Sequence, residues 1–145
     1  MTSTARRLCV LIAVLAVAGM AVSAVSLKNH YSHDKTSYCE LGQNFDCDIV
    51  NRSSYSSLAG IPVAAIGIAG YAALAFLSTF YREKEKAPSY LFFAALGGSA
   101  FALYLTYVEK YILATWCILC LSSLGLISLI TVLSAVVFAR SRQDV

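Results

Sequence analysis

The sequence predicts an all-α integral membrane protein, a bundle of four transmembrane helices with an extracytoplasmic loop between helices 1 and 2. Two observations predict this fold class. Of the 145 residues, 59% are hydrophobic and 13% are charged, whereas an average soluble domain is about half apolar and about a quarter charged. In addition, four separate segments supply the roughly 20 apolar residues that a membrane-spanning helix needs. So little polar surface excludes a soluble enzyme and a nucleic-acid-binding module.

Four apolar runs with few charges define the predicted spans. Backbone polar groups cannot stay unpaired in lipid, so each run should form an α-helix. All of them belong to a single domain, residues 1–145. The spans lie at about residues 8–27, 58–81, 89–108 and 115–139, and the outer loop covers residues 28–57.

The first apolar run has an alternative interpretation as a cleaved signal peptide. Arg6 and Arg7 precede it, and Val22-Ser23-Ala24 matches the small-residue pattern of a cleavage site. The run exceeds the usual 7–15 residues of a signal core, which favours a membrane span. Cleavage would leave the remaining topology unchanged.

The distribution of lysine and arginine predicts the orientation. Residues 1–7, 82–88 and 140–145 hold seven basic side chains in 20 residues, whereas residues 28–57 and 109–114 hold four in 36. Cytoplasmic segments carry the excess of basic residues. Both termini are therefore expected in the cytoplasm, and the long loop is expected outside.

Four of the five cysteines fall on the predicted outer side of the membrane. Cys39 and Cys47 lie in the loop, and Cys117 and Cys120 form a Cys-x-x-Cys motif at the outer start of the last span. Disulfides form and persist in the oxidising compartments outside the cytoplasm. Cys9, at the inner end of the first span, is interpreted as a small apolar residue.

The Cys-x-x-Cys motif predicts a redox pair with an asymmetric position. Residues i and i+3 of a helix share a face, so Cys117 and Cys120 can form a disulfide. Cys120 lies about 4.5 Å deeper in the bilayer than Cys117, at 1.5 Å per residue. Cys117 can thus meet other thiols, and Cys120 can meet a lipid-soluble acceptor. Together with a mobile loop pair, this arrangement favours a relay by thiol–disulfide exchange.

Two other interpretations of the cysteines stay open. The first is a non-enzymatic membrane protein with four spans and two structural disulfides, although a disulfide within one helical turn restrains the chain little. The second is a zinc site with four thiolates, because Cys-x-x-Cys is half of a zinc-binding pattern. The other half has an unusual spacing of seven residues and neighbouring carboxylates, so we expect no metal.

These motifs, in this order and spacing, resemble the vitamin K epoxide reductase family, in particular its stand-alone bacterial members. The resemblance covers nearly the whole chain. It rests on the loop pair and the run that follows it, on a Gly-Ile-Pro sequence that opens the second span, and on the start of the fourth span. The residues that carry it are Cys39, Cys47 to Ser53, Gly60-Ile61-Pro62, and Trp116-Cys117 with Cys120.

The resemblance implies a thiol:quinone oxidoreductase of the bacterial inner membrane, built as four helices around menaquinone or ubiquinone at the outer leaflet. It implies that Cys120 contacts the quinone and that Cys117 exchanges with Cys47. The loop pair, Cys39 and Cys47, would receive electrons from a thioredoxin-like protein and so support disulfide bond formation. Because no thioredoxin-like domain follows the fourth span, we expect a separate partner.

Two departures from the animal members of the family concern the substrate. Animal enzymes carry a tyrosine four residues after the second cysteine of the Cys-x-x-Cys motif, where this chain has Leu124. They also carry an asparagine near the outer end of the second span, where this chain has residues 60–63, Gly-Ile-Pro-Val. Both side chains are polar contacts to the substrate, so their absence argues against vitamin K epoxide.

Several further residues are candidate quinone contacts. Ser53 matches the family's serine in the segment that covers the quinone pocket. Three tyrosines, spaced for one face of the third span, could form either an interfacial aromatic belt or a wall of the pocket. Glu109 could relay protons to the quinone or simply lie exposed at a helix end. The full set of candidates is Ser53, Tyr104, Tyr107, Glu109, Tyr111 and Trp116.

Overall fold

The computed structural model describes residues 3–31, 57–58, 60–80, 84–113 and 118–143. Within these ranges the chain is helical apart from two short strands and the turn residues Gly60, Phe80 and 84–86. The elements, in order, are α1 (Ser3–Tyr31), β1 (Ser57–Leu58), β2 (Ile61–Pro62), α2 (Val63–Thr79), α3 (Ala87–Tyr107), a π-helical segment (Val108–Leu113) and α4 (Ile118–Gln143). Helix α3 continues directly into the π segment, so the helical backbone extends beyond the end expected at residue 108.

A two-stranded hairpin precedes α2, where the sequence led us to expect a helix from about Leu58. The strands are antiparallel, with Leu58 opposite Ile61. Gly60, in the turn, has a φ of +83°, which costs a glycine little because it has no Cβ. Pro62 then occupies the N-cap position, with a φ of −58° and a ψ of 136°. Since proline fixes φ and has no N–H to donate, it is tolerated at a helix start, and α2 begins at Val63.

Helices α1 and α2 pack antiparallel through two glycines. A Cβ at Gly19 would overlap the ring of Tyr71, and a Cβ at Gly67 would lie 2.8 Å from Ser23 Oγ. The second contact lies four residues after the first along α1 and four residues before it along α2, which shows that the two helices run in opposite directions. Small residues at helix interfaces let the backbones approach closely, and here they set the register of the pair.

Helices α3 and α4 also pack antiparallel. The rings of Phe92 and Phe138 stack with centroids 5.5 Å apart, and the hydroxyls of Ser99 and Thr131 lie 2.6 Å apart. From the first contact to the second, the chain advances seven residues along α3 and returns seven residues along α4. Hydroxyl pairs of this kind stabilise helix–helix contacts within membranes.

The four helices form a closed ring in which each helix packs mainly against two neighbours, and Tyr71 of α2 also reaches across to Ser123 of α4. Helix α1 packs against α2 and α4, and α3 packs against α4 and α2. The short connection between α2 and α3 makes these two helices antiparallel as well. The bundle therefore runs up, down, up, down. The beginning of α1 and the end of α4 lie at the same end of the bundle.

The bundle interior is packed with small and aliphatic side chains. Cys9, which we interpreted as a small apolar residue, is 1% exposed within this core. Many large apolar side chains instead cover the outer surface, including Val14, Phe76, Phe93 and Leu129, as expected for helices that face lipid. The core comprises Cys9, Ile12, Ala16, Tyr71, Leu74, Leu91, Ala95, Ile127, Ile130 and Val137.

Three helical segments in the described ranges are long and apolar enough to cross a membrane: Ser3–Lys28, Ala87–Ile112 and Ile118–Gln143. Helix α2, Val63–Thr79, is a shorter apolar helix. The expectation of an all-α membrane protein is confirmed to this extent.

Candidate functional site

The structure describes half of the ten predicted site residues. Cys120, the deeper cysteine of the Cys-x-x-Cys motif, is among them, together with Glu109 and three tyrosines. The roles predicted for the other five stay predictions. The residues that lie outside the described ranges are Cys39, Cys47, Ser53, Trp116 and Cys117.

Cys120 is the third residue of α4 and is half-buried. It forms no disulfide with the other cysteine of the described ranges. Because α4 runs toward the end of the bundle that holds the beginning of α1, Cys120 lies at the opposite end. The first turn of α4 therefore holds the half-buried thiol near the end of the bundle opposite the termini.

A hydrogen-bonded junction lies one turn further into the bundle than Cys120. The Tyr71 hydroxyl donates to the backbone carbonyl of Ser123 at 2.9 Å, and the two hydroxyls lie 2.8 Å apart. Tyr71 is 5% exposed, and its ring packs on Gly19. The junction thus joins α1 and α2 to the part of α4 that carries the thiol.

Tyr71 was not among the residues singled out from the sequence. A signal was present, because a tyrosine in the middle of an apolar span must find a partner for its hydroxyl. The partner could not be read from the sequence, since Ser123 lies 52 residues away and several other serines and threonines occur in the spans.

Glu109 is 1% exposed, so the interpretation of an exposed residue at a helix end is wrong. It is the second residue of the π segment. The wider turn of a π-helix changes which side chains face inward, and such turns are frequent at functional sites. The following residues, Lys110 and Tyr111, are exposed, and the Lys110 ammonium lies over the Tyr111 ring at 5.2 Å.

The helix register places Glu109 at the depth of Cys120. Ser99 on α3 contacts Thr131 on α4, and ten residues further along α3 comes Glu109. Ten residues back along α4 comes Leu121, the neighbour of Cys120. Each residue adds about 1.5 Å along either helix, so the carboxyl and the thiol lie at nearly the same level of the bundle.

The three candidate tyrosines lie on the outer surface. Tyr104, Tyr107 and Tyr111 are each more than half exposed, at 54%, 56% and 65%. The rings of Tyr107 and Tyr111 contact each other, with centroids 4.9 Å apart. This position agrees with an aromatic belt at the level of the lipid headgroups.

Fold and site together define a small helical membrane protein with a half-buried thiol and a buried carboxyl at the end of the bundle opposite its termini. Residues 10–135 match the vitamin K epoxide reductase family, and the chain belongs to this family. The resemblance inferred from the motifs is thereby confirmed. The family consists of quinone-linked thiol oxidoreductases. A comparison with individually curated proteins gives no match.

Proposed function

We propose that the protein is a thiol:quinone oxidoreductase that supports disulfide bond formation outside the cytoplasm. Electrons pass from a separate thioredoxin-like thiol protein to Cys39 and Cys47, then to Cys117 and Cys120, and then to menaquinone or ubiquinone. The observation that carries the proposal is the family match over residues 10–135, a range that includes all four cysteines. The half-buried position of Cys120 in the first turn of α4, at the end of the bundle opposite the termini, supports it.

The proposed topology has four transmembrane spans in a single domain, residues 1–145. Helix α2 is the additional span. Its 17 residues rise about 25 Å at 1.5 Å per residue and reach the lower limit for a spanning helix. The last turn of α4 contains Arg140 and Arg142, and basic residues favour the cytoplasmic side. Both termini are then cytoplasmic, the loop at residues 28–57 is outside, and Cys120 faces the periplasmic side of the inner membrane.

Each exchange step moves one disulfide bond. The Cys47 thiolate attacks the Cys117 sulfur of the Cys117–Cys120 disulfide, and Cys120 leaves as a thiolate. Cys39 then attacks Cys47, which restores the loop disulfide and releases Cys117. The thioredoxin-like partner reduces the loop pair again and leaves with a new disulfide of its own.

The described residues near Cys120 suit a quinone. The Cys120 thiol and the buried Glu109 lie at nearly the same level of the bundle. Leu121 and Leu124, which follow Cys120 along α4, are apolar and half-buried. When bound, a quinone accepts two electrons and two protons and is released as the quinol. The apolar Leu124 supplies no polar contact of the kind that animal enzymes offer to vitamin K epoxide. The proposed quinone contacts are Ser53, Tyr104, Tyr107, Glu109, Tyr111 and Trp116.

The proposal is tested by comparing two cysteine variants in membrane vesicles. Cys120→Ala should abolish the reduction of added quinone by a reduced thiol substrate, because the proposed path passes its electrons to the quinone from Cys120. Cys9→Ala is the matched control, since it removes a buried thiol from the opposite end of the bundle and should leave turnover in place.

Insertion of both variants is checked by extracting the membranes. Undiminished turnover in the inserted Cys120→Ala variant would contradict the proposed path. A protein whose cysteines form static structural disulfides would show no quinone reduction even as the wild type.

A further inference from the structure

We propose that Tyr71 is a positioning residue for the Cys120 thiol, which it holds in place through its hydrogen bonds to Ser123. The inference rests on the proposed function, in which Cys120 passes electrons to the quinone. It assigns a role in that step to a residue of α2, a helix without a cysteine. Tyr71 is 5% exposed, and its hydroxyl oxygen lies 2.9 Å from the Ser123 carbonyl oxygen and 2.8 Å from the Ser123 hydroxyl oxygen.

The two hydroxyls form a reciprocal pair. The Tyr71 hydroxyl has a single proton, which it donates to the Ser123 backbone carbonyl. The Ser123 hydroxyl then donates its own proton to the Tyr71 oxygen. Two hydrogen bonds thus join one side chain of α2 to one residue of α4. Because one of them ends on a carbonyl, the contact restrains the backbone of α4 and not only a side chain.

The Ser123 hydroxyl is used differently from other serine hydroxyls of the described helices. Ser78, Ser134 and Ser141 donate to carbonyls of their own helix, the ordinary local bond of a helical serine. The Ser123 hydroxyl instead contacts another helix. The Tyr71 atoms nearest to Gly19 are ring carbons, so packing against α1 does not require the phenol oxygen. The hydroxyl of Tyr71 therefore serves the contact with α4.

The restrained residue is the neighbour of the thiol on the surface of α4. Cys120 is the third residue of the helix, and Ser123 follows three residues later. Residues with this spacing share a helix face, with about 5–6 Å between their Cβ atoms. The first turn of a helix opens more readily than its interior. A tie at Ser123, anchored on α1 through the Tyr71 ring, therefore restrains the turn that carries the thiol.

A restraint of this kind acts on the reaction through geometry. A displacement of about 1 Å between reacting groups can cost about 100-fold in rate. Tyr71 lies one turn further into the bundle than Cys120, so it acts through Ser123 and does not touch the reacting sulfur. Loss of its hydroxyl should consequently lower kcat and leave the binding of the electron acceptor nearly unchanged.

A second hydroxyl contact on α4 provides the matched control. The hydroxyls of Ser99 on α3 and Thr131 on α4 lie 2.6 Å apart. Thr131 comes eight residues after Ser123, about 12 Å further from the thiol at 1.5 Å per residue. Tyr71→Phe and Ser99→Ala each remove one hydroxyl that links α4 to another helix. Comparison of the two separates an effect on the thiol from a general loss of stability.

The first measurement follows the thiol itself and needs no quinone. The reduced, full-length protein in lipid nanodiscs is treated with iodoacetamide, and modification of Cys120 is located by mass spectrometry. Tyr71→Phe should raise the alkylation rate of this half-buried thiol about fivefold or more, because its turn opens more often. Ser99→Ala should stay within about twofold of the wild type, since the restraint at Ser123 is retained.

The second measurement is quinone reduction in the same nanodiscs, with ubiquinone carrying one isoprene unit as the probe. Tyr71→Phe should lower kcat about tenfold and change KM by less than about threefold. Ser99→Ala should keep kcat within about twofold of the wild type. Ser123→Ala removes one of the two hydrogen bonds and should have an intermediate effect. The double variant of Tyr71→Phe and Ser123→Ala should be no slower than Tyr71→Phe alone, because both changes break one junction.

The proposal is overturned if Tyr71→Phe leaves either the alkylation rate or kcat at the wild-type value. It is also overturned if Ser99→Ala changes both quantities as much, because the effect then reflects overall stability. Should Tyr71→Phe fail to insert, Ser123→Ala decides by the same comparison with Ser99→Ala. A wild-type protein that exchanges thiols but reduces no quinone would refute the proposed function, and the alkylation rates would then decide separately whether Tyr71 positions the thiol.

Discussion

The Tyr71 hydroxyl donates a hydrogen bond to the backbone carbonyl of Ser123 at 2.9 Å, which joins α2 to α4 one turn below Cys120. The Tyr71 ring also fills the space that Gly19 leaves on α1. One side chain therefore connects three helices directly beneath the thiol. The packing of the bundle at this level depends on a polar contact between residues that lie far apart in the sequence.

Tyr71→Phe should destabilise the bundle by about 1 kcal/mol, the typical net contribution of one hydrogen bond. The phenyl ring keeps its contact with Gly19, and only the hydroxyl is lost. Unfolding of the purified protein in detergent measures the effect. Tyr104→Phe is the matched control, because Tyr104 is more than half exposed and should tolerate the change. Equal stability of the two variants would show that the junction contributes nothing net.

Gly19→Ala should be destabilising, whereas Gly97→Ala should not. A Cβ at Gly19 would lie 2.5 Å from Cδ1 and Cζ of Tyr71, and a Cβ at Gly97 would have nothing within 4 Å. Overpacking of this kind costs about 1–3 kcal/mol, while alanine in an open helical position gains up to about 1 kcal/mol over glycine. The same unfolding experiment compares the two. If the two variants were equally stable, α1 and α2 would not approach each other at Gly19 and Tyr71 as closely as described here.

Cys39→Ser should separate the two halves of the proposed relay. Without the loop disulfide, oxidation of a reduced thioredoxin-like substrate should fall to background. Oxidation of a small thiol such as dithiothreitol should continue, because a small molecule reaches Cys117 directly. Both rates are followed by quinone absorbance in the same vesicles. Equal loss of both activities would count against a relay through the loop pair.

Much of the fold followed from local properties of the chain. A long apolar run must become a helix in lipid wherever it lies in the sequence, so the spans that begin near residues 8, 89 and 115 correspond to α1, α3 and α4. The start of α2 was placed too early by about five residues. Hydropathy does not distinguish a helix from the hairpin at Gly60 and Pro62, because the difference lies in a single positive φ and in the geometry of proline.

The motifs of the candidate site could be predicted from the sequence, but the surroundings of its residues could not. The Cys-x-x-Cys motif could be recognised from its spacing, and the family resemblance from several motifs in their order and spacing together; the family match agrees with that resemblance. The environment of each candidate residue could not be predicted from the sequence. From the sequence, Glu109 at the end of a span is equally compatible with water and with the bundle interior, and the three tyrosines are compatible with a pocket wall or an outer belt.

The sequence by itself determined that this protein is a helical membrane protein with the motifs of a thiol-linked family, because apolar length and cysteine spacing are properties of the chain alone. Only the tertiary structure decided that Glu109 is buried at the level of Cys120 and that Tyr71 pairs with Ser123. The physical reason is that these relationships depend on the register between helices. That register is set by close contacts such as Gly19 with Tyr71 and Ser99 with Thr131, which no single segment contains.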